Sequence, residues 1–483
     1  MYKFWTLDPV KLKAFAVRHA AHVEKADKLM NLSEDEIALN KKQNIKTIKL
    51  AAKYLRRIAK SDDKEWIKKR SYQISRDKNF LKTVAILVSV KNKRLFGNAP
   101  TSNKELDNLA IKCMKVINQS EKFTYTYKQK NKGGKRLICS FEAIRYTQQT
   151  AISMLISAAC PSYPDNYTHS GREGCHGSAR AIGRELLYGN RYVLTADIKN
   201  CHSSIRRGHI RSLNVLDERL LRYVVFPSFL CNSIEYKPSA KSPPLIQLPQ
   251  GGAHSSAIQS ALIDGFLAKM PKNKIRIIVF ADNLAICAPN VADVLSAFNA
   301  LKQWMLGHPA GGLMLHEVAI CDGHLHNSEI LKESPIKSFK LGKVKAGVDF
   351  GGYSISMHSP TSELRYRPSH AAWEKFWDKV MGIDPNDNGL HWSPIMGYDE
   401  MVQIALNRFM KWSPSFPLWQ INRKQFYKHI KEEELPGCTT VLHENDCVRT
   451  ALAAEWFLLN LTKKRGALLN HSGILTSKIT LDA

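Results

Sequence analysis

The stretch IIVFADNLAIC, Ile277 to Cys287, decides how this chain is read. Ile275 to Ala281 and Leu284 to Ala288 are apolar runs of strand length, and Asp282-Asn283 between them reads as a turn. A carboxylate therefore stands at the tip of a strand–turn–strand. Two other strings precede it. In VLTADIKNC (Val193 to Cys201) Asp197 ends an apolar strand, and LPQGG (Leu248 to Gly252) is a loop rich in backbone freedom. Strands lying side by side would bring Asp197 and Asp282 to one edge of a sheet. A lone Asp at a strand end is ordinarily a turn residue; two of them around a Pro-Gln-Gly loop make a specific combination.

The 483 residues are 44% hydrophobic, enough for a large core and two or three structural units. Lys and Arg exceed Asp and Glu by 71 − 43 = +28. That excess favours a polyanionic partner, with phosphate contacts the usual reason. The ten cysteines are scattered without a Cys-x-x-Cys pair, which fits reduced thiols in a cytoplasmic protein better than a disulfide framework. The start, MYKFWTLDPVKLKAF, lacks the apolar stretch of a signal peptide. The longest apolar run, around TVAILVSV (Thr83 to Val90), is too short to span a bilayer, so a soluble protein without a membrane partner is expected.

Up to about Asn98 apolar positions recur three and four apart, as in helices, with Ser33 and Glu36 forming a capping box. This segment is rich in Lys and Arg, which suits either an RNA-contacting surface or an ordinary solvated helical layer. From Phe123 the period switches to two, so FTYTY and KRLICSF read as strands joined by a loop at Lys128 to Gly134. Helices are expected over Ala143–Ala159, Cys175–Leu187, Val215–Phe226, Ser255–Met270 and Ala292–Met305, with a strand over Arg191–Ala196. A second hairpin is expected over Phe339–Ile355, turning at Ala346-Gly347, and the chain reads as helical again after Pro368.

With these motifs in place, the chain resembles bacterial reverse transcriptases, closer to the group II intron, retron and phage-defence branches than to retroviral enzymes. KNKGGKRLICSFEAIRYTQQTAI is similar to the family's basic fingers hairpin and the Arg-x-x-Gln-Gln helix after it. TADIKNCHSSI resembles the strand of the first catalytic aspartate, HSGREGCHGSARAI the Gly-Arg segment, and VDFGGYSI the primer-contacting hairpin. The resemblance implies an α+β right-hand polymerase. A helical N-terminal extension (1–100) would precede fingers and palm (101–365), with an antiparallel palm sheet flanked by helices, and a helical thumb (366–483). It implies catalysis by Asp197, Asp282 and Asn283, with Mg²⁺ (two ions, Mn²⁺ as an alternative) held by Asp197, Ile198 and Asp282. Lys128, Lys130, Arg136, Ile198, His202, Gln250 and Gly251 would bind the dNTP, and Arg145, Arg172, Gly351, Gly352 and Tyr353 would contact primer or template.

Two residues depart from the family pattern. Asn283 stands where a second aspartate is usual, removing one negative charge, although an amide oxygen can ligate Mg²⁺. His202 replaces the Phe or Tyr that excludes a ribose 2′-hydroxyl. The resemblance implies an RNA-directed DNA polymerase, cytoplasmic and acting in antiviral defence, with unusual or absent nucleic-acid templating as a variant. RNA or DNA, a dedicated noncoding RNA, a companion reverse transcriptase or a second copy are its implied partners. The alternatives are an inactive scaffold that binds RNA or a partner polymerase, and an RNA-templated RNA polymerase.

Overall fold

The computed structural model describes residues 9–97, 101–117, 124–129, 135–169, 172–226, 247–270, 275–322, 324–325, 347–358 and 363–369, with 371–372, 375–376, 412 and 415–418. It divides into two compact units: Met1–Gly351 with Ile355–Leu364, and Gly352–Ser354 with Arg365–Ala483. The architecture is α+β.

The first unit opens with helices α1 (Pro9–Leu29), α2 (Glu34–Ala59), α3 (Lys64–Ile74), α4 (Lys78–Lys91) and α5 (Asn103–Lys115). Side-chain caps fix their starts. The Ser33–Glu36 capping box begins α2, Asp63 and Asp77 cap α3 and α4, and Ser102 with Glu105 caps α5. The run TVAILVSV lies in α4, whose residues Phe80–Ser89 are all buried. A helix apolar on every side belongs inside a core, where each large side chain contributes about 1.5–3 kcal/mol. Buried Asp27 ties three helices together. It accepts from Asn40 Nδ2 (3.0 Å) and from the Asn103 amide (2.9 Å).

Strands β1 (Thr124–Gln129) and β2 (Lys135–Ser140) form an antiparallel pair in which Lys128 faces Arg136 in register. Lys128 and Gln129 thus belong to the strand, not to the expected loop, because the ladder continues through them. Next come α6 (Ala143–Ala159), α7 (Gly174–Leu187) and β3 (Tyr192–Ile198), followed by three short helices: α8 (Cys201–Ser204), α9 (Arg207–Ser212) and α10 (Glu218–Leu220). The helix expected over Val215–Phe226 is split, with a π-helical turn at Leu221–Val225. The rest of this unit's core is α11 (Ser255–Leu267), β4 (Arg276–Phe280), β5 (Asn283–Ala288), α12 (Val291–Leu306) and β6 (Leu315–Asp322).

These strands form one antiparallel sheet in the order β4-β5-β3-β6. Alternation divides its two faces. Leu194, Ala196, Ile198, Leu284 and Ile286 join the large core that also holds α4, α6, α11 and α12, and the N-terminal helices share that core. Asp197 and Asn283, as register partners, belong to the opposite face.

Beyond β7 (His324–Leu325), β8 (Val348–Phe350) and β9 (Tyr353–His358) pair through a turn at Gly351-Gly352, and β10 (Glu363–Pro368) follows. The turn expected at Ala346-Gly347 lies at the edge of the described residues, which resume at Gly347. Gly351 (φ +58°) and Gly352 (φ +86°) adopt the consecutive left-handed conformations of a tight hairpin, whereas Ala346 lies outside the described residues. In the second unit Tyr353, fully buried, meets Phe416 edge-on at 5.3 Å, and Phe376 stacks on Trp412 at 4.7 Å. Among the described residues no helix is long and apolar enough to cross a membrane.

Candidate active site

Strand register brings the two aspartates together. β3 runs two residues beyond its expected end and includes Asp197, which pairs with Asn283 across the ladder. One step further the Ile198 amide donates to the Asp282 carbonyl at 3.0 Å, so the β4–β5 turn is pinned to the end of β3. Cross-strand partners of this kind have Cβ atoms about 4.5–5.5 Å apart. Electrostatics agree. Burial, reinforced by the charges of Asp282 and Asp197, pushes the Cys201 thiol up to about 12, so both carboxylates act on one point.

The turn itself is strained. Ala281, between Phe280 and Asp282, has φ +56°, a left-handed conformation that costs an L-residue about 1–2 kcal/mol. Its amide donates to Thr168 Oγ1 at 2.7 Å. Thr168 ends a segment that runs along the outer edge of β4. There the Tyr167 amide donates to the Val279 carbonyl (2.7 Å), and the Val279 amide donates to the Asp165 carbonyl (2.9 Å). Behind it, Asn166 Oδ1 accepts from the Thr168 amide (3.1 Å), and Asn166 Nδ2 donates to Asp264 Oδ1 (2.8 Å). The other oxygen of buried Asp264 lies 2.5 Å from His169 Nε2. A carboxylate on α11 therefore anchors the segment that holds the Asp282 turn.

Asn283, exposed at the start of β5, donates through Nδ2 to Asp282 Oδ1 at 3.1 Å. His316, exposed on β6, pairs with Asp197 from the other side. Sequence reading passed over this histidine, since only the β3–β6 register gives LMLHEV a meaning.

The Pro-Gln-Gly loop is locked in place. The Leu248 amide donates to the Ile205 carbonyl, Ser255 Oγ to the Pro249 carbonyl (2.6 Å), and the Ala253 amide to Gln149 Oε1 (3.2 Å). The Gln250 carbonyl accepts from the Cys139 amide at 2.7 Å, docking β2 onto the loop. Gly251 makes that approach possible. Its φ is +105°, and a β-carbon there would lie 2.2 Å from the Cys139 carbonyl oxygen. Gly251→Ala is therefore expected to cost about 2 kcal/mol or more, read as a lower melting temperature. Arg136 is three residues before Cys139 on β2, about 10 Å along the strand.

Beneath the loop His254 is completely buried. That burial, with Arg145 and His202 adding to it and the Val225 backbone only partly opposing it, pushes its pKa down from 6.5 to about 3. The unfolded chain takes up this proton first, so stability is present above about 6.5 and declines as pH falls toward 3. Thermal melts across that window should show a loss approaching about 1.4 kcal/mol per pH unit from this group, and a shallower slope in His254→Gln.

Of the remaining expected site residues, Lys128 is exposed, His202 is half-buried in α8, and Lys130 lies outside the described residues. Ile198 has a buried side chain, leaving only its backbone for the site. Three residues expected at primer or template are engaged inside the fold. Arg145 is 1% exposed, inside the core rather than on a surface. Arg172 directs its guanidinium at the carbonyls of Tyr163, Pro164 (2.7 Å) and Asn166 (3.2 Å) and at Ser162 Oγ, so it clamps a loop. Tyr353 is buried among aromatics. Gly351 packs against Cys175, and Gly352 is exposed.

Asp197 and Asp282 fit a Mg²⁺ pair, because this hard ion usually takes one or two carboxylates and completes its shell with water and substrate phosphate. Among the described residues no group of three or more His, Cys, Asp or Glu forms a metal cluster.

Residues 127–310 match the family model for reverse transcriptase (RNA-dependent DNA polymerase). No curated protein matches the chain. Among solved structures it is similar to the Sicinivirus 3Dpol RNA dependent RNA polymerase, at 11% identity over 67% of this chain and 70% of that one. The TM-score is 0.35, too low to carry an argument. The family match spans both carboxylates, the Pro-Gln-Gly loop and β2, and supports a reverse transcriptase-type domain, that of a polymerase-type nucleotidyltransferase, over this segment.

Proposed function

We propose that the chain adds deoxynucleotides to a DNA 3′ end. The observation that carries this reading is the convergence of Asp197 and Asp282 at the end of β3, beside a Gln250-Gly251 loop docked on β2. In this reading the β4-β5-β3-β6 sheet is the palm, β1–β2 the fingers hairpin, and residues 366–483 the thumb. Residues 1–100 are a helical extension.

Asp197, Asp282 and the Ile198 backbone would hold two divalent ions. When bound, such ions activate the attacking hydroxyl and neutralise the triphosphate. Arg136, with Lys128 and Lys130, would orient the phosphates through charge-assisted hydrogen bonds. Gln250 would meet the nucleotide where Gly251 keeps the backbone close. His202, in the short helix α8 that follows Asp197, would stand against the ribose 2′ position.

The resemblance to defence-associated relatives supplies the proposed setting, an antiviral response with a noncoding RNA or companion polymerase as partner. It also supports synthesis without a nucleic-acid template as a variant of the same chemistry. Purified protein incubated with single dNTPs and with their mixture, with and without RNA, should yield DNA in a Mg²⁺-dependent manner. No product under any condition would sink both the templated and the untemplated version. Ribonucleotides incorporated in preference to deoxynucleotides would instead favour an RNA polymerase.

Asn283 favours a second reading, a scaffold that has lost catalysis, since its amide replaces a carboxylate and ties up one oxygen of Asp282. The two readings separate in cells, where Asp197→Ala leaves a scaffold's phenotype intact and abolishes an enzyme's.

A further inference from the structure

Helix α2 carries a line of cations on its solvent side. Lys42, Lys46, Lys49, Lys53, Arg57 and, at the C-cap, Lys60 are all exposed. Their spacing of three or four residues keeps them within an arc of about 80° at 100° per residue, over about 27 Å of helix axis. The buried residues of α2, among them Thr47, Ala51, Leu55 and Ile58, occupy the opposite side. No Asp or Glu occurs between Ile37 and Ser61. None of the six cations has an ion-pair partner among the described residues, in contrast to Lys41, which meets Glu24 at 2.7 Å.

An ordinary solvated helix intersperses acids with its lysines, because like charges three or four apart destabilise it by a few tenths of a kcal/mol per pair. Here every neighbouring pair along the line is repulsive and nothing in the helix relieves it. A rule broken repeatedly without a compensating contact among the described residues marks a surface whose compensation comes from outside. We infer that the exposed face of α2 binds the phosphodiester backbone of a nucleic-acid duplex, independently of base sequence.

Duplex, rather than single strand, follows from what the line lacks. Single-strand binders place aromatic side chains between their cations for bases to stack on, and none of the exposed positions of this line is aromatic. An anionic membrane is disfavoured because a helix lying on lipid inserts its apolar side. That side of α2 is already spent in the core against α4 and α6, leaving Leu39 as the one exposed large apolar residue of the helix.

The inference shares with the polymerase reading only the chemical nature of the partner, and the two fail separately. The test measures binding of the full chain to short labelled duplexes of RNA, DNA and RNA–DNA hybrid across a salt series. Each neutralised phosphate contributes about 0.9 to the slope of log K against log salt, so Lys46→Gln/Lys49→Gln/Lys53→Gln should reduce the slope by about 2–3. Affinity near 0.1 M salt should fall at least about tenfold. The same variant should melt no lower than the unaltered protein, because repulsion has been removed. An unchanged slope and affinity in the triple variant would overturn the proposal. So would a loss confined to anionic vesicles or to an acidic protein. Stripe-dependent binding by a protein that makes no DNA would leave the proposal standing and sink the polymerase reading.

Discussion

Asp197→Asn and Asp282→Asn are each expected to reduce nucleotide incorporation by about a thousandfold or more. A two-ion site stabilises developing charge by several kcal/mol, and each tenfold in rate corresponds to about 1.4 kcal/mol. This site has little reserve. Asn283 already replaces one charge, so either substitution leaves a single carboxylate at the end of β3. Asparagine preserves side-chain volume, and both positions are at the rim of the sheet, so the fold should persist. A second readout confirms the cause. Mg²⁺ or Mn²⁺ should raise the melting temperature of the unaltered protein by binding its folded state, and should do so much less in either variant. Asn283→Asp supplies the converse arm. It adds a charge beside Asp197 and removes the donor now bonded to Asp282, so the Mg²⁺ concentration for half-maximal activity should fall several-fold. Activity retained in Asp197→Asn would remove the polymerase reading altogether.

Much of this site is legible in the sequence because strand patterning is local. The apolar strand-length runs around Asp282 and before Asp197, together with the Pro-Gln-Gly string, place three elements without long-range information. What the sequence misjudges are polar residues whose partners are far away in the chain. Arg145 is expected at primer or template, and Gln149 belongs to the Arg-x-x-Gln-Gln helix without a role of its own. In the fold α6 is buried along its length, and Gln149 holds the exit of the Pro-Gln-Gly loop at Ala253. Arg172 reads as a primer or template contact because its charge is visible in sequence, while the carbonyls that use its donors are not. Thr168 gives no signal at all, since its contact with Ala281 spans 113 residues.

That contact yields the second large effect. Thr168→Val keeps the shape of the side chain and removes the acceptor of the Ala281 amide. An unsatisfied donor in a half-buried position costs about 1–3 kcal/mol, and a turn already strained at φ +56° has an incentive to relax. Relaxation would move Asp282 relative to Asp197, and displacements near 1 Å can lower rates by about a hundredfold. The expected result is a kcat reduced by about 10- to 100-fold with little change in the KM for nucleotide, and near-normal rates in Thr168→Ser, which keeps the oxygen. If strain at Ala281 is the cause, adding Ala281→Gly to Thr168→Val should restore much of the rate, because glycine adopts left-handed conformations without penalty. A merely structural role for Thr168 predicts no such rescue. Amide exchange of the 276–288 segment gives a readout independent of activity, with protection at Ala281 lost in Thr168→Val. Rates equal to the unaltered protein would mean that the Ile198–Asp282 hydrogen bond and the β3–β5 register hold the turn by themselves.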